Sequence, residues 1–276
     1  MKVPIQTVHL FPVIDKMLIA LLRSLTPEEW SKPTIAKLWT VKDIAAHLLD
    51  TNLRTLSMSR DNYFGLQAPQ INSYEELVAY LNQLNADWVT AAKRVSPQLL
   101  TDQLELTGKQ FCDHIASLDP FGEAVFSVAW AGEDKSENWF HIAREYTEKW
   151  IHQQQIRDAV NKPGLMTKEL FYPFIDTFMQ ALPHTYRDIK AAEDTVIKIT
   201  VTTEIGSDWF LIRNNATWKL SYTADFEPTT TVSIPPAIAW KLFSKGITSA
   251  DAGKDVAISG DEILGEKVLA MVSVMA

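Results

Sequence analysis

The stretch Trp39-Thr40-Val41-Lys42-Asp43-Ile44-Ala45-Ala46-His47-Leu48-Leu49-Asp50 decides how this chain is read. Thr40 followed three residues later by Asp43 has the form of a capping box and marks a helix start. Behind it Ile44, His47, Leu48 and Thr51 recur at helical spacing, on one stripe, so His47 points into a helical core. Much further along, Glu145-Tyr146-Thr147-Glu148-Lys149-Trp150-Ile151-His152-Gln153-Gln154-Gln155 repeats the pattern, with Glu148, Ile151, His152, Ile156 and Ala159 on one stripe. A carboxylate and two imidazoles among isoleucines need partners, because a buried unpaired charge is costly. A divalent cation held between two facing helices would satisfy all three. The plainer alternative is a local Glu148–His152 ion pair and a quietly hydrogen-bonded His47, and spacing alone leaves both readings open.

Working outward, residues 1–162 read as helices. The first spans about Val8 to Leu25, and the second starts at Thr40 and continues to about Tyr63, where Gly65 and Pro69 break it. A third runs from Ser73, capped with Glu76 at the right offset, to Val95, where Pro97 stops it. The fourth covers Ser136 to Val160. Four long helices predict a four-helix bundle. The interval 96–135 reads as strand or loop, with a turn at Asp119-Pro120-Phe121-Gly122.

The texture changes at Asn161-Lys162-Pro163-Gly164, which sets the expected domain division at 162/163 and marks a cleavable or structurally distinct boundary. Beyond a helix over about Lys168 to Pro183, β-branched and aromatic runs follow at Thr195–Thr203, Trp209–Arg213, Thr217–Tyr222 and Thr229–Ile234. Arg213-Asn214-Asn215-Ala216 reads as a hairpin connection, and Ile238–Phe243 and Ile263–Val274 as helices. The second half, 163–276, is therefore expected to be a small α+β unit with a mostly antiparallel sheet.

Composition sets the surroundings. Apolar residues make up 46% of the 276, enough for a sizeable core, and 26 basic against 34 acidic residues give a net charge of −8. That balance argues against sequence-independent nucleic-acid binding, which needs cations to neutralise phosphates. A single cysteine, Cys112, excludes an intramolecular disulfide and fits a reducing cytoplasm. Neither an export signal nor an uninterrupted apolar span of membrane length is read from the chain, so a soluble cytoplasmic protein without membrane partners is expected. A second copy of the chain, as a homodimer, is compatible with this.

The string from Trp39 to Asp50, followed by Glu148-Lys149-Trp150-Ile151-His152, resembles the mycothiol-dependent maleylpyruvate isomerase family, part of the wider DinB-like group of metal-binding four-helix bundles. The resemblance continues through Val232-Ser233-Ile234-Pro235, Ala239-Trp240-Lys241-Leu242-Phe243 and Ile258-Ser259-Gly260-Asp261, similar to that family's sterol-carrier-like C-terminal domain. It implies a divalent metal on His47, Glu148 and His152, zinc first and nickel second, since imidazoles and a carboxylate suit borderline cations. Three protein ligands leave open positions, the mark of a catalytic site. It further implies a low-molecular-weight thiol as co-substrate (mycothiol, bacillithiol or glutathione) and isomerisation or S-transfer on a small electrophile. The competing expectation is a non-catalytic protein that binds a small molecule or lipid in its C-terminal half.

Two departures from the family stand out. Gln155 occupies the place, three residues after the histidine, where many relatives carry Asp. The family isomerase uses an arginine from its C-terminal domain, whereas the last arginine here is Arg213. Among nearby residues, Glu145 is a candidate proton acceptor or fourth ligand. Asp43 and Asp50 are candidates to orient His47, and His141 lies two turns before Glu148. Cys112, Trp39, Trp139 and Trp150 are expected to pack structurally.

Overall fold

The computed structural model describes residues 2–274. Its first part contains α1 (Phe11–Arg23), the single turn α2 (Pro27–Trp30), α3 (Val41–Thr55), α4 (Tyr74–Ala92), α5 (Pro97–Ser117) and α6 (Asn138–Val160). Then come α7 (Lys168–Met179) and the single turn α8 (Leu182–Thr185), followed by strands β1 (Val196–Val201), β2 (Asp208–Asn214), β3 (Thr217–Ser221) and β4 (Thr230–Ile234). Helix α9 (Pro236–Phe243), the turn α10 (Ser249–Ala252), β5 (Ala257–Gly260) and α11 (Glu262–Val268) complete the order.

The expected capping box is present: Thr40 Oγ1 accepts from the Asp43 amide at 3.3 Å while Asp43 Oδ2 accepts from the Thr40 amide at 3.0 Å. Helix α3 then passes at Leu56–Arg60 into a π-turn instead of running on as α-helix to Tyr63.

The largest departure from the sequence reading is α5, which fills much of the interval expected to be strand or loop. Pro97 opens this helix, and Ser96 Oγ accepts from the Leu99 amide at 3.2 Å to cap it. Proline at a first helical position loses no hydrogen bond, because that amide has no intrahelical partner. The four helices that pack on one another are consequently α1, α3, α5 and α6, while α4 lies on the outer side of α3.

The sheet has the order β3-β2-β1-β4-β5. Its hairpin turns on Asn215 and Ala216, both with positive φ, as a two-residue loop of this hand requires. β1 and β4 run parallel, a pairing the sequence reading missed, and the remaining neighbours are antiparallel. The edge strand β5 was also unforeseen, being short and mostly exposed. Alternation along the strands buries Ile197, Ile199, Trp209, Leu211, Val232 and Ile234.

One apolar core joins the two parts, running from Phe11, Phe111 and Trp150 to Phe174, Ile199 and Trp240. Trp150 of α6 stacks on Phe174 of α7 with ring centroids 4.0 Å apart, and it meets Trp240 of α9 edge-on at 6.3 Å. The connection after α6 is pinned, since Arg157 Nη1 donates to the carbonyls of Lys162 and Pro163 and its Nη2 to that of Met17. Trp150→Ala is therefore expected to lower stability by about 3–5 kcal/mol. In urea titration, helical circular dichroism and sheet-reporting fluorescence should fall in one shared transition; two separated transitions would contradict the continuous core.

Candidate metal centre in the bundle

Helix α6 is enclosed almost completely. Between Phe140 and Arg157 only Arg144, Glu148 and His152 are not buried, a line at strict four-residue spacing. This line faces α3, whose His47 is 7% exposed. Ligand atoms of His47, Glu148 and His152 all lie within 4.8 Å of one another, the three residues singled out from the sequence. His152 Nε2 is 3.5 Å from Glu148 Oε2, and the His47 and His152 rings meet at 4.6 Å with planes 74° apart.

The hydrogen bonding of this trio suits a cation. His152 Nδ1 lies 2.9 Å from Gln155 Oε1; a proton on Nδ1 donated to that oxygen leaves the Nε2 lone pair aimed at Glu148. Gln155 thus sets the orientation of the ring. His47 Nδ1 is buried and has no hydrogen-bond partner, which is costly unless something absent from the protein binds there. Burial, with His152 and Arg54 nearby, pushes the His47 imidazole well below its ordinary value and keeps it neutral, as a ligand must be. Burial raises the Glu148 carboxyl, but His152, Arg144 and Arg54 outweigh it and hold it below the ordinary range. Bonds of ~2.1 Å in a tetrahedral set need donor atoms about 3.4 Å apart, within reach of small side-chain rotations from this arrangement.

The other candidates separate. Asp43 is occupied with the cap, and Asp50 Oδ2 pairs with Arg54 Nε at 2.8 Å, so neither meets His47 Nδ1. Glu145 is buried one turn before Glu148 and outside the ligand cluster; its Oε1 accepts from Arg144 Nη2 at 2.6 Å and its Oε2 is unpartnered. The buried His141 offers Nδ1 to Arg144 Nη2 at 3.0 Å. Cys112 is half-buried, and burial first and Asp15 second push its thiol up to about 11, which suits packing and not attack. Trp150 and Trp139 pack against phenylalanines. Trp39 does more than pack, with its ring 4.8 Å from His47 and 6.1 Å from His152.

Sequence reasoning overlooked five polar residues around the trio. Lys149 is buried, donates to Asn52 Oδ1 at 2.6 Å and sits over the Phe111 ring, while Asn52 Nδ2 donates to Thr107 Oγ1. This brace fixes α3, α5 and α6 around the site. Arg144 and Arg54 flank the ligands. The interval Arg144-x-x-x-Glu148-x-x-x-His152 was a signal for the first, whereas nothing local marks the second.

A family model described as the mycothiol maleylpyruvate isomerase N-terminal domain matches residues 12–157. Two crystal structures of the mycothiol-dependent maleylpyruvate isomerase, one of them a point mutant, each align over 91% of this chain and 91% of theirs, at 12% identity and a TM-score of 0.54. A sterol carrier protein 2 like 2 from Aedes aegypti aligns with 36% of this chain and 95% of its own at 18% identity and a TM-score of 0.28. No curated protein matches the chain. Among the described residues no helix is long and apolar enough to cross a membrane.

Burial first, and Arg144 second, push His141 down to about 3, against 6.5 for an ordinary imidazole. The unfolded chain therefore takes up a proton at His141 that the folded protein refuses. The stability tied to this group is complete above pH 6.5 and is lost as pH falls toward 3. His141→Asn, which keeps an acceptor for Arg144, should flatten the acid limb of stability across that window in denaturant titrations at successive pH values. An unchanged acid limb would show that His141 is not held neutral.

Proposed function

Because the chain belongs to the mycothiol maleylpyruvate isomerase N-terminal domain family, we propose that it is a metal- and thiol-dependent isomerase, or S-transferase, acting on a small electrophilic substrate. The observation that supports this most directly is the trio His47, Glu148 and His152, buried on one side and reaching solvent on the other through Glu148 and His152. In this reading the trio holds a divalent ion, zinc first and nickel second. Such an ion, when bound with open positions, lowers the pKa of a thiol or water and so supplies a nucleophile at neutral pH.

The protein's own groups do the rest. Trp39 covers the imidazole pair and excludes water from that side. Gln155 holds His152 in one tautomer, and the Lys149–Asn52 brace keeps the two ligand-bearing helices in register. A thiolate adding to a conjugated double bond turns it into a single bond with the negative charge delocalised onto the acceptor group. Rotation and expulsion of the same thiolate restore the double bond in the other geometry, with no net proton change. Protonation of the adduct instead would retain the sulfur and give transfer, and Glu145, one turn away with an unpartnered oxygen, is the group we assign to proton handling.

The same reading divides the chain at 162/163, with the bundle as chemical unit and 163–276 as the α+β unit.

Purified protein is expected to carry about one divalent ion per chain. His152→Ala should lose most of it with circular dichroism unchanged, and stoichiometric metal in the His47→Ala/His152→Ala double variant would defeat the assignment. A small thiol added to cobalt-loaded protein should produce new charge-transfer absorption that strengthens as pH rises, since the thiolate is the ligand. Glu145→Gln should keep that spectral response while slowing turnover. Failure of every cellular thiol tried to perturb the spectrum would remove the thiol from the reading.

A further inference from the structure

Asp176 of α7 is a buried carboxylate that has hydrogen bonds but no counter-ion. It is 4% exposed; its Oδ1 accepts from Trp209 Nε1 at 2.8 Å and from the Tyr222 hydroxyl at 3.0 Å, and its Oδ2 lies 3.2 Å from the same hydroxyl. Among the described residues no lysine, arginine or histidine forms an ion pair with it. It borders a cavity of about 250 Å³ between α7 and the segment 2–6, with Tyr172 as an aromatic wall. From this combination of cavity, uncompensated carboxylate and aromatic ring, we infer that the protein has a second binding site, apart from the metal trio, which takes a small ligand bearing an ammonium group. The inference is independent of the function proposed above.

The carboxylate is held but not saturated. An ionised carboxylate accepts about four hydrogen bonds, and here two neutral donors supply all the contacts, leaving Oδ2 with a single long one. Burial drives the Asp176 carboxyl above its ordinary range, and the indole and phenol donors recover only part of that cost. Its frame is rigid. Trp209 is fully buried in β2, so its N–H ties α7 to the sheet. Tyr172 stands one turn before Asp176 on α7, on the same face, and its ring stacks on Trp209 with centroids 6.0 Å and planes 17° apart. Burial first and Asp176 second push the Tyr222 phenol up, which keeps it a donor.

An ammonium group seated in this cavity would donate to Asp176 and lie against the Tyr172 ring, the two contacts that best replace the water around an amine. An anion would meet the same carboxylate as a like charge, and a neutral ligand would leave that charge uncompensated. Lys2 lines the cavity too, but it is exposed and keeps its own charge in water. None of the cavity's residues is a member of the metal trio.

The test uses benzylamine, cationic at neutral pH, with benzyl alcohol as its uncharged counterpart of the same shape. Binding to the full-length protein is followed by isothermal titration and by the nuclear magnetic resonance shift of the Trp209 indole N–H. Benzylamine should bind about ten-fold or more tightly than benzyl alcohol, and it should raise the thermal midpoint of the parent protein. Asp176→Asn keeps an oxygen for Trp209 and Tyr222, so it should weaken benzylamine about ten-fold or more and leave benzyl alcohol unchanged. Because that variant removes a buried, uncompensated charge, its own thermal midpoint should not fall. Tyr172→Leu, which keeps the bulk and loses the ring face, should weaken benzylamine about three-fold and stays informative if Asp176→Asn does not fold. Amines also ligate metal ions, so the titration is repeated on the His47→Ala/His152→Ala variant, where the affinity should equal that of the parent. Equal benzylamine affinity in parent, Asp176→Asn and Tyr172→Leu, binding that disappears with the two histidines, or no binding at millimolar amine would overturn the inference.

Discussion

The near-complete enclosure of α6 is the constraint from which the rest of the structure follows. A helix with 17 of its 23 residues buried, Glu145, Lys149 and three successive glutamines among them, cannot be stabilised by hydrophobic contact alone. A buried polar group left without a partner costs on the order of 1–3 kcal/mol, and although Glu145 Oε2 goes without one, others on α6 are met. The partners come from every side: α3 supplies Asn52, α7 supplies the Leu170 carbonyl for Tyr146, and α1 supplies the Met17 carbonyl for Arg157. The helix is thereby fixed in both rotation and height, and its one accessible line is fixed with it.

That rigidity explains how a loose i,i+4 spacing becomes a defined site. Glu148 and His152 alone would be a common ion pair. What sets them apart is that their helix cannot rotate away from His47, and that His47 is itself held on α3 by a capping box, by Ile44 and Leu48 in the second apolar cluster, and by the Trp39 ring. The unsatisfied His47 nitrogen is then a cost the fold carries in the absence of a ligand.

The same enclosure couples the two halves of the chain. The Trp150–Phe174 stack lies on the face of α6 away from α3, so packing of α7 and the sheet presses α6 from behind the site. The C-terminal part serves the bundle through this contact.

Features written in short-range patterns were legible in the sequence: the capping box at Thr40, the stripes bearing His47 and Glu148–His152, and the Asn215-Ala216 turn. Each depends on residues within one or two turns, where helix and strand periodicity dictate which side chains share a face. The helix beginning at Pro97 was misread because a proline can open a helix as readily as close one, and only the Ser96 cap and the packing of α5 between α1 and α3 resolve which. The parallel pairing of β1 with β4 joins segments some thirty residues apart and leaves no local trace. The place of Arg54 belongs to the same class, since its influence on Glu148 follows from the packing of α3 against α6. Local sequence thus wrote the ligand types and their faces; the long-range packing of α6 selected which faces meet, because contacts between distant segments are settled by burial of the whole core and not by the period of any one element.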